Sequence, residues 1–303
     1  MTSETQADPA RRIIETALAG TTGLHAYVLV DGALLQTQSA AQQERWPFFL
    51  ALPLLANADL DAQAVGPLLY ELPSASESDD TGAAVETGIV WPASSVIVSR
   101  LSLNELATHL RPMLDVQLEQ MDSTMLMRFF DPRVLPFWLD MLPMEHRAWL
   151  ARGVHDWIYL DAHQNLRSAR IETAHKPGEI DVIAQFPLHL SQQQEDDLLA
   201  ACYPYTMIER LRSEFGTLME RVPLAKQYDF VRDQLDRCRA HGAESPASLI
   251  TWCELALRYG PHFDEHPAMQ PAIAALDDGQ TFSQALALVP SGEWARMQAE
   301  VAN

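Results

Sequence analysis

The stretch MLMRFFDPRVLPFWLDML, from Met125 to Leu142, constrains the fold more than any other part of the chain. Its apolar residues call for burial, yet Arg128, Asp131 and Arg133 lie among them. A buried charge is costly unless it is paired or hydrogen-bonded. Local spacing offers a structural solution. Met125 to Phe129 reads as a buried strand, and Asp131 as the N-cap of a helix that Pro132 begins. Arg128 or Arg133 then pairs with Asp131 or a nearby carboxylate. A catalytic alternative makes His109 upstream a base, and Arg111 with these arginines an anion clamp. Ion-pair clusters in apolar surroundings are often structural rather than catalytic, so the structural reading is preferred.

The rest of the chain divides by pattern. Pro9 to Ala19 reads as a helix closed by Gly20, and Leu24 to Val30 as a buried strand ending at an Asp31-Gly32 turn. Pro67 to Leu72 and Ser94 to Ser99 are further strands, separated by a polar loop over Pro73 to Gly88. Ser102 and Glu105 have capping-box spacing for a helix running to about Arg111. Asp115 to Glu119 reads as another strand, with weaker strands at Trp157 to Leu160 and Ile180 to Phe186. Beyond Leu188 helical patterns take over: Ser191 and Gln194 open one helix, and Ser245-Pro246 opens another that ends near Gly260. The expected fold is α+β, a mixed lobe with a small sheet over residues 1–187, followed by an all-helical lobe over 188–303.

Composition narrows the function classes. At 303 residues the chain is long enough for two lobes, and 48% hydrophobic residues can fill their cores. The net charge of -20 argues against general nucleic-acid binding and against anionic membrane surfaces, since no basic surplus exists to meet phosphates. Cys202, Cys238 and Cys253 are odd in number and lack CxxC spacing. With no apolar leader at the start, they read as reduced thiols of a cytoplasmic protein. Glycine-rich phosphate loops, GxSxG and HExxH are absent. His262 and His266 stand four apart but are bracketed by prolines and have no third ligand, and Cys238 with His241 has no partner pair. No metal or other cofactor is expected.

The block SSVIVSRLSLNELATHLRPMLDVQLEQMDSTMLMRFFDPRVL resembles the hallmark region of the type VI secretion adaptor family, the Tap-type effector chaperones. Members carry a strand, a serine-led helix ending in HLR, and a later strand ending in R-aromatic-aromatic-DPRVL. Here Ser99, Ser102, His109-Leu110-Arg111 and Arg128-Phe129-Phe130-Asp131-Pro132-Arg133-Val134-Leu135 hold those places. AYVLVDGA, from Ala26, and GPLLYEL, from Gly66, also look like the family's opening strands. Pro112 departs from the pattern, where many relatives have a basic or polar residue, and bears on where that helix ends. The resemblance covers about Leu24 to Leu142 and fades beyond Leu188, where only TWCELALRYGPHF, Thr251 to Phe263, looks familiar.

The resemblance implies a bacterial, non-enzymatic adaptor. Such a protein holds a cognate secreted effector by its N-terminal region in the cytoplasm and helps load it onto the secretion spike, which it meets transiently. Ser102, His109, Arg111, Arg128, Asp131, Pro132 and Arg133 become its structural motif. The helical lobe resembles the family least, so effector recognition is expected there, with Trp252, Leu255 and Tyr259 as candidate contacts at helical spacing. Two competing functions remain: an enzyme using His109, Arg128, Asp131 and Arg133, and an immunity protein that neutralises a toxin.

Overall fold

The computed structural model describes residues 12, 14–16, 18, 23–44, 51–72, 91–171 and 184–301. The chain forms two compact units, Met1–Leu199 and Ala200–Asn303. This division falls further along than residue 187, inside a helix. The first unit is α+β; the described residues of the second form only α and 3-10 helices. No helix of the described residues is long and apolar enough to cross a membrane.

Two sheets build the first unit. Strands β1 (His25–Asp31), β2 (Leu52–Pro53), β3 (Pro67–Glu71), β4 (Ser94–Ser99), β7 (Asp156–Leu160) and β8 (Leu166–Arg170) form one in the order β2-β3-β1-β4-β7-β8. All its pairings are antiparallel, and β1 sits in the middle with Tyr27 opposite Ile97 of β4 and Glu71 of β3. Strands β5 (Asp115–Leu118), β6 (Thr124–Leu126) and β9 (Leu188–Leu190) form the second, with β5 central, antiparallel to β6 and parallel to β9.

The uninterrupted apolar run of β1 follows from its neighbours: it is covered on both faces. Tyr27 and Leu29 join Leu69, Ile97 and Trp157 in one core, while Ala26, Val28 and Val30 join Leu68, Val96, Val98 and Ile158 in another. Alternating side chains of a strand point to opposite faces, so each set belongs to one side of the sheet.

The short helices are α1 (Gly32–Gln36), α2 (Ala40–Glu44) and α3 (Leu60–Val65). The helices α4 (Leu103–Leu110), α5 (Leu135–Met141) and α6 (Met144–Gly153) follow. From α1, Leu34 and Leu35 enter the second core; α4 gives Leu106, Ala107 and Leu110 to the first, beside Leu135, Trp138 and Leu139 of α5. Helix α4 stops before Pro112, which enters a 3-10 turn over Arg111–Leu114.

Helix α7 (Gln192–Met219) begins after Ser191, whose amide donates to Gln194 at 3.0 Å, and loses helical geometry at Phe215. Helices α8 (Leu224–Ala240), α9 (Pro246–Tyr259), α10 (Gln270–Asp277), α11 (Phe282–Leu286) and α12 (Ser291–Val301) complete the second unit. Ser245 caps α9 by accepting from the Ser248 amide, and Gly260, at φ 92°, ends it.

Four expectations need correction or lie wholly or partly outside the described residues. The buried strand over Met125 to Phe129 is instead β6, Thr124–Leu126, and its three residues are exposed; the chain then turns inward at Met127. Residues 184–186 of the strand expected over Ile180 to Phe186 are not extended into a sheet, and 180–183 lie outside the described residues, as does the loop from residue 73 to 88. Of the helix expected over Pro9 to Ala19, Arg12, Ile14, Glu15, Thr16 and Leu18 are described, and they are helical.

Candidate functional site

The charges of the RFFDPRVL segment converge on a carboxylate from a distant strand. Asp31 closes β1 and caps α1, its Oδ1 accepting from the Leu34 amide at 3.0 Å. Its Oδ2 accepts from Arg128 Nη2 at 2.5 Å. The backbone must come very close here: a Cβ on Gly32 would lie 2.2 Å from the Ala64 carbonyl oxygen, so only glycine fits after Asp31.

Asp131 is held from its own side. Its Oδ1 accepts from the Arg133 amide at 2.9 Å and Nε at 3.0 Å, and its Oδ2 from Arg133 Nη2 at 2.9 Å. Arg128 Nη2 stands 3.5 Å from the same Oδ2 and so bridges both carboxylates. The arrangement corrects the expected cap. The Asp131 carbonyl accepts from Val134 and Leu135, making a turn with the buried Pro132, and the N-cap of α5 is Val134.

Electrostatics follow from depth. Asp31 is fully buried and Asp131 nearly so, whereas the Arg128 side chain is 43% exposed and that of Arg133 24%. Burial raises the Asp31 carboxyl above the ordinary aspartate value; Arg128 and the Leu34 amide pull it down without overcoming that effect. Beneath the turn, Phe129 stacks on Trp138 at 4.8 Å and meets Trp157 edge-on at 6.0 Å. Trp157 in turn donates to Ser95 Oγ at 2.9 Å. The array therefore anchors β1, the turn and an aromatic core to one another.

His109 is not a member of it. Its ring stacks on Trp149 at 5.0 Å and packs against Gly153, and Nε2 is buried without a hydrogen bond. Burial lowers its pKa, although the nearby Leu150 and Trp149 carbonyls favour a proton. Arg111 Nε donates to the Leu54 carbonyl at 3.2 Å. Ser102 and Glu105 form the expected capping box, with the Ser102 amide 2.9 Å from Glu105 Oε2. The four-residue catalytic cluster is thus not assembled. Asp31, which local spacing marks only as a turn residue, is the missing partner; the signal for it is an aspartate directly after an all-apolar strand.

The candidate partner contacts of the second unit are mostly core. Trp252 is fully buried among Phe263, Phe282 and His241 and donates to Gln234 Oε1 at 3.2 Å. Leu255 is buried too, and half-buried Tyr259 lies 5.2 Å from Trp294. A unit this small needs its large apolar side chains inside, so Trp252 and Leu255 leave no groove of their own making. His262 and His266 line a cavity of about 230 Å³ with Tyr259, Met297 and Glu300. His266 Nδ1 accepts from the Ala268 amide, and Nε2 is 3.2 Å from Glu300. Among the described residues no group of three or more His, Cys, Asp or Glu is placed to hold a metal ion.

No curated protein and no solved structure matches the chain. Residues 26–148, which contain Asp31, Arg128, Asp131 and Arg133, match the model of the family described as "Domain of unknown function (DUF4123)".

Proposed function

We propose that this chain is a non-enzymatic adaptor that binds a secreted effector in the bacterial cytoplasm and helps load it onto a type VI secretion spike. The observation carrying this reading is the family match over residues 26–148, which coincides with the hallmark segments that resemble Tap-type chaperones. The site geometry supports a structural part for the motif. Both buried carboxylates are engaged by guanidinium groups, and His109 faces Trp149 and Gly153 rather than a reacting centre.

The test is co-expression of the tagged full chain with each protein encoded beside it. The expected result is one stable complex with a secreted toxin, retained when only the toxin's N-terminal region is supplied, and loss of that toxin's export when this chain is deleted. Protection of toxin-producing cells by this chain, with export unaffected, would make it an immunity protein instead. Any turnover abolished by His109→Gln in a folded variant would make it an enzyme.

A further inference from the structure

Sheet edges expose unpaired N–H and C=O groups, and proteins usually protect them with charge, proline or cover. Of the two edges of the six-stranded sheet, β2 carries Pro53 and β8 carries the exposed Arg167 and Arg170. In the second sheet, the apolar residues of the β9 edge, Leu188 and Leu190, are already buried. Strand β6 differs from all three. It is an edge strand made of Thr124, Met125 and Leu126, with neither charge nor proline, and all three residues are exposed.

Register shows what is missing beside it. Leu188, Val116 and Met125 lie in one row across β9, β5 and β6, and their exposures are 3%, 3% and 46%. A core row thus runs into solvent at β6. Nearby, Met121 and Leu126 add exposed apolar surface. The Met127 amide donates to the Leu114 carbonyl, so alternation along an antiparallel ladder turns the Met125 N–H toward β5 and those of Thr124 and Leu126 outward.

We propose that the edge of β6, unpaired among the described residues, accepts an extended segment of a partner protein as an added strand, one with alternating apolar and basic side chains. The apolar residues would continue the Leu188–Val116–Met125 row. The basic ones answer the hairpin's charge: residues 115–126 include Asp115, Glu119 and Asp122, all exposed, and no Lys, Arg or His. The same acidity, with a chain charge of -20, opposes a second copy on this edge. Strand addition of this kind takes its affinity from main-chain hydrogen bonds and its specificity from alternate side chains. The existence of a partner rests on the adaptor reading; the place does not.

The probe is a short labelled peptide of alternating valine and lysine, titrated against the full chain, with alternating valine and glutamate as control. Thr124→Pro removes an outward donor at the first residue of a strand, where proline is tolerated. Met125→Lys places a charge in the open row, and serves as well if Thr124→Pro lowers the melting temperature. The expected result is lysine-peptide binding that either variant weakens by about tenfold or more, with no glutamate-peptide binding. Equal binding by the variants, or by both peptides, would overturn the proposal. A dimer in sedimentation that Thr124→Pro dissolves would also overturn it, because the edge would then belong to a second copy. If both variants keep full affinity for a partner found by co-expression, the β6 site fails while the adaptor reading stands. If co-expression yields no partner, that reading fails and the peptide titration alone decides the edge.

Discussion

Arg128 donates to Asp31, which lies 97 residues earlier, at 2.5 Å, and so ties the end of a central strand to the turn that begins at Arg128. The pair is asymmetric: the carboxylate is fully buried and the guanidinium is partly in water. Losing the carboxylate removes two hydrogen bonds at once, while the arginine it leaves behind can still reach Asp131 or solvent.

Asp31→Ala is therefore expected to cost about 2–4 kcal/mol, from a lost helix cap and a lost charged hydrogen bond. Asp31→Asn keeps an acceptor for the Leu34 amide and should cost about 1 kcal/mol. Urea unfolding at neutral pH measures both, and equal losses would show that the cap contributes nothing.

The cost of Asp31→Asn should depend on pH in an unusual direction. The folded-state pKa of Asp31 is raised, chiefly by burial, so its contribution to stability is complete below the ordinary aspartate value. As pH rises through the folded value, that contribution is lost, because the unfolded chain ionises first. The gap between wild type and Asp31→Asn should shrink from acid toward neutral pH in parallel urea titrations. A gap that widens would mean that attraction to Arg128 outweighs burial.

Asp131→Asn should damage folding before it damages any contact. Breaking a buried pair from one side costs about 3–5 kcal/mol, and the lower end applies because Arg133 keeps part of its side chain in water. Thermal melting reads this directly. An unchanged midpoint together with lost partner binding would reassign the turn to an interface.

Gly153 and His109 should be coupled. A Cβ at Gly153 would lie 2.3 Å from His109 Cδ2, and the ring is held in place by its stack on Trp149. Gly153→Ala should cost about 1–3 kcal/mol by overpacking. In a His109→Ala background that penalty should fall, which a double-mutant cycle of urea unfolding would reveal as non-additivity. Strict additivity would place the strain elsewhere.

Thiol labelling should separate the cysteines. Burial pushes the Cys238 and Cys253 thiols up to about 12, while Cys202 is only half-buried. The thiolate is the reactive form, so iodoacetamide at neutral pH should modify Cys202 first and the other two only on unfolding. Mass spectrometry of the labelled peptides checks the order, and rapid labelling of Cys253 in the folded chain would contradict it.

Local chemistry was the readable part of this sequence. Ser94–Ser99 is the strand its β-branched run suggests, and the Ser102–Glu105 box and the Ser245-Pro246 start stand where spacing puts them. What escaped depends on distance or position in a sheet. Nothing near Asp31 announces Arg128 as its partner, and apolarity in MLM does not reveal that Met125 and Leu126 belong to an edge. Strand β8, LRSAR, carries two arginines and little apolar character, so only its pairing with β7 makes it a strand. Trp252 and Leu255 have the spacing of a helix face, which cannot distinguish a face turned to the core from one turned to a partner.

The central place of β1 has a consequence for the protein's synthesis. This strand leaves the ribosome well before β4 and the arginine that answers Asp31. Until then a nascent chain holds a strand apolar on both sides and a carboxylate without its cation. Distant pairings form slowly and leave such strands open to aggregation while they wait. Ribosome-bound chains stalled before Arg128 should accordingly need holding by a general chaperone, and release from it should follow the emergence of the RFFDPRVL turn.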